Sequence, residues 1–134
     1  MTTLTSRSAQ PLTQASVLIK AKKAYALWFL ISADIPKTYR YTLGAKVEGY
    51  FLELLENIFV SLYLSPEQKA SRLIIAISKL DGVKFFLQIA WENKCVSHAK
   101  YTELSTLLDE IGRMLGGWKK GLENKLAQKK TLAR

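Results

Sequence analysis

The sequence predicts an all-α protein, an antiparallel up-down-up-down four-helix bundle. Two observations carry that prediction. Apolar residues recur every three or four positions along four long stretches, with no strand-like alternation anywhere. Only three prolines and seven glycines punctuate 134 residues, which leaves room for long uninterrupted elements. The size suits a single domain. The expected organisation is a flexible N-terminal tail over 1–13, a bundle over 14–126 and a basic frayed tail over 127–134.

The first helix is expected from about Gln14 to Ser32, with Leu18, Ala21, Tyr25 and Trp28 on its inner stripe and Val17, Ala24 and Ile31 alongside. Its later turns, Tyr25 to Ile31 and so including Phe29, are apolar on every side. Ile35-Pro36 ends it, because the residue before proline is pushed out of the helical region.

A second helix is expected from Lys37 to about Leu64, with Val47, Phe51, Leu54, Leu55, Ile58 and Leu62 on one stripe. Glu48, Glu53 and Glu56 fall on a separate, solvated face. Ser65-Pro66-Glu67-Gln68 starts the third helix as a serine cap with proline at the first helical position. That helix carries two apolar stripes: Leu73, Ile77, Leu80, Val83, Leu87 and Trp91 on one side, and Ile74, Ile75, Phe85 and Ile89 on another. One bundle core can cover only one of them, so the second stripe predicts a homo-oligomer.

Ser97 is expected to cap the fourth helix. Its seam, Tyr101, Leu104, Leu108, Ile111, Leu115, Trp118 and Leu122, alternates four and three without a slip. Gly112, Gly116 and Gly117 weaken this helix by about 1 kcal/mol each relative to alanine. The glycine side is expected to be a tight packing surface. Arg113 and Lys120 lie on that side too.

Charge is distributed unevenly. The net charge is +9. Residues 1–46 hold seven Lys/Arg against Asp34 alone, and residues 112–134 hold seven against Glu123 alone. Two basic ends around an acidic middle suit a polyanion partner or opposite-charge pairing of subunits, and equally a solvated basic surface.

One cysteine, Cys95, and one histidine, His98, make neither a disulfide nor a zinc set. No phosphate-loop spacing, nucleophile triad or Glu-x-x-His metal motif is present, so the chain reads as a binding protein and not an enzyme, with no cofactor or metal. No apolar run approaches the roughly 20 residues of a membrane span, and no signal peptide is visible. A soluble, cytoplasmic protein is expected.

Arg40-Tyr41-Thr42-Leu43-Gly44 and Glu110-Ile111-Gly112-Arg113-Met114-Leu115-Gly116-Gly117-Trp118 occur together in this helix order. In this the chain resembles the accessory variability determinant proteins of diversity-generating retroelements, part of a four-helix-bundle family that includes proteins encoded in ribosomal RNA intervening sequences. The likeness runs from about Val17 to Leu122. Glu56-Asn57-Ile58-Phe59-Val60 stands where the intervening-sequence branch usually has Asn-Ile-Ala-Glu-Gly, which favours the retroelement branch.

The resemblance implies a basic homopentameric ring. It also implies association with the retroelement's reverse transcriptase and with template-repeat RNA or its cDNA, in support of mutagenic copying. On that reading phosphates would be met by Lys20, Lys22, Lys23, Arg40, Lys46, Arg113, Lys119 and Lys120. Phe29, Ile74, Ile75, Phe85, Ile89, Gly116 and Gly117 would meet other copies. Trp118 is expected in the core and not on a base. The alternative is an oligomeric scaffold that binds only protein, or an intervening-sequence-type bundle without a polymerase partner.

Overall fold

A computed structural model describes residues 12–133. Helix α1 is Leu12–Ser32. Helix α2 is composite: a turn Lys37–Tyr39, a π-helical segment Arg40–Gly44 and an α-helix Ala45–Ser61. Helices α3 and α4 are Pro66–Glu92 and His98–Ala133. Helix α1 therefore begins two residues before the expected start, and α4 continues well past Leu126, where the sequence suggested a frayed tail. Lys129 of that extension lies 3.9 Å from Glu67 at the start of α3. The rest of the expected N-terminal tail, residues 1–11, lies outside the described residues.

The helices pack as a four-cornered bundle in which α1–α2, α2–α3, α3–α4 and α4–α1 are neighbours and α1 and α3 stand on a diagonal. Neighbours run antiparallel: Tyr50 meets Gly82 while Asn57 meets Arg72, and Lys84 pairs with Asp109. Lys20 pairs with Glu110, while the end of α1 reaches the loop before α4 around Cys95 and Val96.

The inner stripes are buried as their periodicity requires. Trp28, Phe51, Leu54, Ile58, Leu73, Leu80, Leu87 and the α4 seam from Leu104 to Leu115 are all closed to solvent. Burying a Leu, Ile or Phe side chain is worth about 1.5–3 kcal/mol, so this one continuous core holds four helices of modest intrinsic propensity together. Trp28 stacks on Phe51 at 6.5 Å, and Trp91 lies flat on Tyr101 at 4.5 Å.

The connections are built from local hydrogen bonds. Ser65 caps α3 by accepting from the Gln68 amide, and Ser97 caps α4 by accepting from the Lys100 amide. At the end of α3 the Lys94 amide donates to the Trp91 carbonyl and the Cys95 amide to that of Ala90. This double bond pattern turns the chain through a left-handed residue, here Lys94 at φ 61° where glycine is usual. Cys95 and Val96 then fold into the core, and burial pushes the Cys95 thiol pKa up.

One buried polar network crosses α2 and α3. The Asn57 amide donates to the Glu53 carbonyl, its side-chain oxygen accepts from Arg72, and Ser61 donates to the Asn57 carbonyl. Among the described residues no helix is long and apolar enough to cross a membrane.

Candidate nucleic-acid interface

Four of the eight cations expected to meet phosphate stand free on the surface. Lys22 and Lys23 on α1, and Arg113 and Lys120 on α4, are exposed and form no ion pair among the described residues. Lys20 bonds Glu110 across the α1–α4 seam. That bond, reinforced by the fields of Arg113 and Lys23, holds the Glu110 carboxyl below the ordinary carboxylate range. Lys20, Lys23 and Arg113 are thus gathered around one carboxylate.

Arg113 and Lys120 are seven residues apart, two helical turns on one side of α4. Gly116 and Gly117 leave the surface between them bare, with nothing within 4 Å of where a Cβ would stand. This outward strip lies between the flank of α4 that meets Lys20 and the flank where Asp109 meets Lys84. A rod-like polyanion laid along it would find cations at both ends and no side chain in the way.

The other four expected contacts have partners within the subunit. The Arg40 guanidinium donates to the carbonyls of Ala33 and Ile35 in the turn that follows α1. Lys46 lies 5.9 Å from the Tyr50 ring centre and 5.8 Å from that of Phe86. Lys119 pairs with Glu123 at 3.0 Å, and Lys20 is held by Glu110. Arg40 in particular ties down the α1–α2 turn, so the Arg40–Gly44 motif carries a structural role: it is the π-helical segment itself.

Trp118 is 7% exposed and lies in the core, with Lys69 6.0 Å above its ring and no hydrogen-bond partner for its indole N–H among the described residues. It is not available to a base. Lys69 donates to Gln14, and burial followed by repulsion from Lys125 lowers its pKa.

Glu48 departs from the expected solvated acidic face. It is half-buried between α1 and α2, accepting the Tyr25 hydroxyl at 2.5 Å and the Trp28 indole N–H at 2.9 Å. The bond to this carboxylate, with burial, pushes the Tyr25 pKa up to about 12. The carboxylate also lines a cavity of about 400 Å³ formed where the π-helical segment meets the end of α1. A usable signal was present: Glu48 is next to Val47 and three residues before Phe51, on the flank of the buried stripe.

The outer apolar residues form two separate groups. Phe29 is 63% and Leu30 68% exposed on α1, whereas Ile74 is 54% and Phe85 57% exposed on α3. Ile75 is also exposed, and Ile89 is half-covered. Among the described residues nothing covers either group.

The architecture is that of a basic, all-helical bundle whose outer surfaces offer cations and bare apolar faces. Among the described residues no three His, Cys, Asp or Glu side chains stand where they could hold a metal ion. The chain matches the bAvd-like family over residues 16–122, which include both quoted motifs, and it belongs to that family. No curated protein sequence matches it.

Proposed function

We propose that the protein is a non-catalytic accessory subunit of a diversity-generating retroelement, acting by binding the reverse transcriptase and the template-repeat RNA or its cDNA. Membership of the bAvd-like family over residues 16–122 is the observation that carries this reading. The free cations Lys22, Lys23, Arg113 and Lys120, on a chain of net charge +9, supply the physical means. Such contacts neutralise phosphates, release counterions and do not read sequence.

The protein would work as a homo-oligomer. Its apolar faces lie on α1 and α3, the diagonal helices, so they are two different surfaces. Two different complementary surfaces associate head to tail, and head-to-tail contacts close into a ring when the rotation allows. The resemblance implies five copies. A ring would also multiply the cation strip around its circumference.

Binding to the template-repeat RNA should weaken steeply as salt rises, and the double variant Lys23→Glu with Arg113→Glu should flatten that slope by roughly two units per subunit engaged. Affinity that is unchanged with salt would remove the mechanism. Co-expression with the neighbouring reverse transcriptase, followed by pull-down with and without nuclease, tests the polymerase partner. Capture that survives nuclease supports a direct protein contact.

A protein-only scaffold is the second reading. It is favoured by the occupied states of Lys20, Arg40 and Lys119, which leave a smaller free cation set than composition suggests. Pure oligomer that carries no nucleic acid and binds none at low salt would select it.

A further inference from the structure

The Glu48 carboxylate is half-buried, yet among the described residues it forms no ion pair. Both of its bonds come from neutral groups, the Tyr25 hydroxyl at 2.5 Å and the Trp28 indole N–H at 2.9 Å. One bond falls on each oxygen, so each keeps a lone pair free. Withdrawing a carboxylate from water without a counter-charge is costly, and such groups are normally paired.

The cavity that Glu48 lines, about 400 Å³, falls in the range of small-molecule sites, roughly 300–1,000 Å³. Phe29 and Tyr41 stand at its mouth, 63% and 74% exposed, whereas Trp28 and Ile35 are closed to solvent at its floor. Its π-helical wall rests against α3, so the shape is built into the fold. Phe29 and Ser32 bring the last turn of α1 to the cavity, and with it the negative end of that helix. The Ser32 hydroxyl donates to the Phe29 carbonyl at 2.8 Å, which leaves its oxygen to accept. Arg40, the cation among the lining residues, donates to the Ala33 and Ile35 carbonyls and makes no pair with Glu48.

We infer that this cavity binds the ammonium head of a small primary alkylamine, with the aliphatic stem lying against Phe29 and Tyr41. The head supplies a positive charge and three N–H donors. The site supplies what it needs: the free lone pairs of Glu48, the Ser32 oxygen and the faces of two exposed rings. A neutral or anionic ligand would leave the carboxylate uncompensated. The site is opposite in charge to the Arg113–Lys120 strip and lies on other helices, so it does not depend on the function proposed above.

Calorimetric titration of the full-length protein with n-butylammonium, and with n-butanol as its uncharged counterpart, tests this. Butylammonium should bind once per chain and butanol should not. Glu48→Gln removes the charge and keeps an acceptor for Trp28; it should weaken butylammonium roughly tenfold or more. Ala45→Phe, at an exposed position lining the cavity, should abolish binding with Glu48 untouched, and it keeps the test open if Glu48→Gln fails to fold. Circular dichroism and light scattering should show both variants with wild-type helix content and mass, since Phe29 also belongs to the face proposed to meet other copies. Spermidine and Nα-acetyl-lysine methylamide carry the same head, and the tighter of the two tells a free polyamine from a protein lysine as its source. Absence of butylammonium binding would overturn the inference. So would equal binding of butanol, or butylammonium binding that neither variant weakens.

Discussion

Gly82 and the pair Gly116–Gly117 are helical glycines put to opposite uses. A Cβ on Gly82 would stand 2.8 Å from the Tyr50 ring, closer than real side chains approach. Tyr50 cannot swing away freely, because Phe86 stacks on it and Lys46 and Lys79 lie against its ring. Gly116 and Gly117 meet nothing within 4 Å. Both sites carry the helix penalty of glycine, but only Gly82 recovers it within the subunit. A close approach that compensates Gly116 and Gly117 has to come from outside.

Substitutions sharpen that contrast. Gly82→Leu should cost about 3 kcal/mol, since it drives a side chain into a packed aromatic stack, and urea unfolding of the variant would measure it. Glu48→Ala should cost about 2 kcal/mol by orphaning the buried Trp28 N–H and the Tyr25 hydroxyl. The same variant has a pH signature. Tyr25 is raised from 10.0 to about 12 in the fold, so its contribution is fully present below pH 10 and lost as pH rises through 12. In Glu48→Ala, tyrosinate absorbance should show Tyr25 titrating nearer its ordinary value.

Gly116→Ala should have the opposite sign. In a Phe85→Glu background it should stabilise the lone subunit by about 1 kcal/mol, as expected for an open helical position. In the wild-type background it should weaken binding of the template-repeat RNA along the bare strip between Arg113 and Lys120, read as a lower affinity at low salt. Stabilisation without any loss of RNA binding would break the contrast. Lys94 completes it from the other direction, because a left-handed φ of 61° there asks for glycine and the chain supplies lysine. Lys94→Gly should raise the melting temperature slightly, by the equivalent of about 0.5–1 kcal/mol.

The legible part of this molecule was the part governed by periodicity. The four inner stripes could be read because each residue that recurs every three or four positions must face the core, and the seam from Leu104 to Leu122 is buried without exception. The second stripe on α3 was legible for the same reason. Long-range pairing was not. Whether a glycine is covered depends on which residue of another helix lies opposite, and nothing around Gly82 announces Tyr50. Composition likewise counts Lys20, Arg40 and Lys119 with the free cations, although Glu110, two backbone carbonyls and Glu123 hold them. Glu48 was misplaced because it lies at the border of the apolar stripe, where a few degrees separate a solvated carboxylate from one bonded to Trp28.

The proposed homo-oligomer requires other copies of the chain to cover the outer faces of α1 and α3. Light scattering of the purified protein beside its Phe85→Glu variant tests this most directly. It predicts a wild-type mass that is a whole multiple of the single chain and a variant at the mass of one chain. A wild type that already runs at the mass of one chain would contradict it.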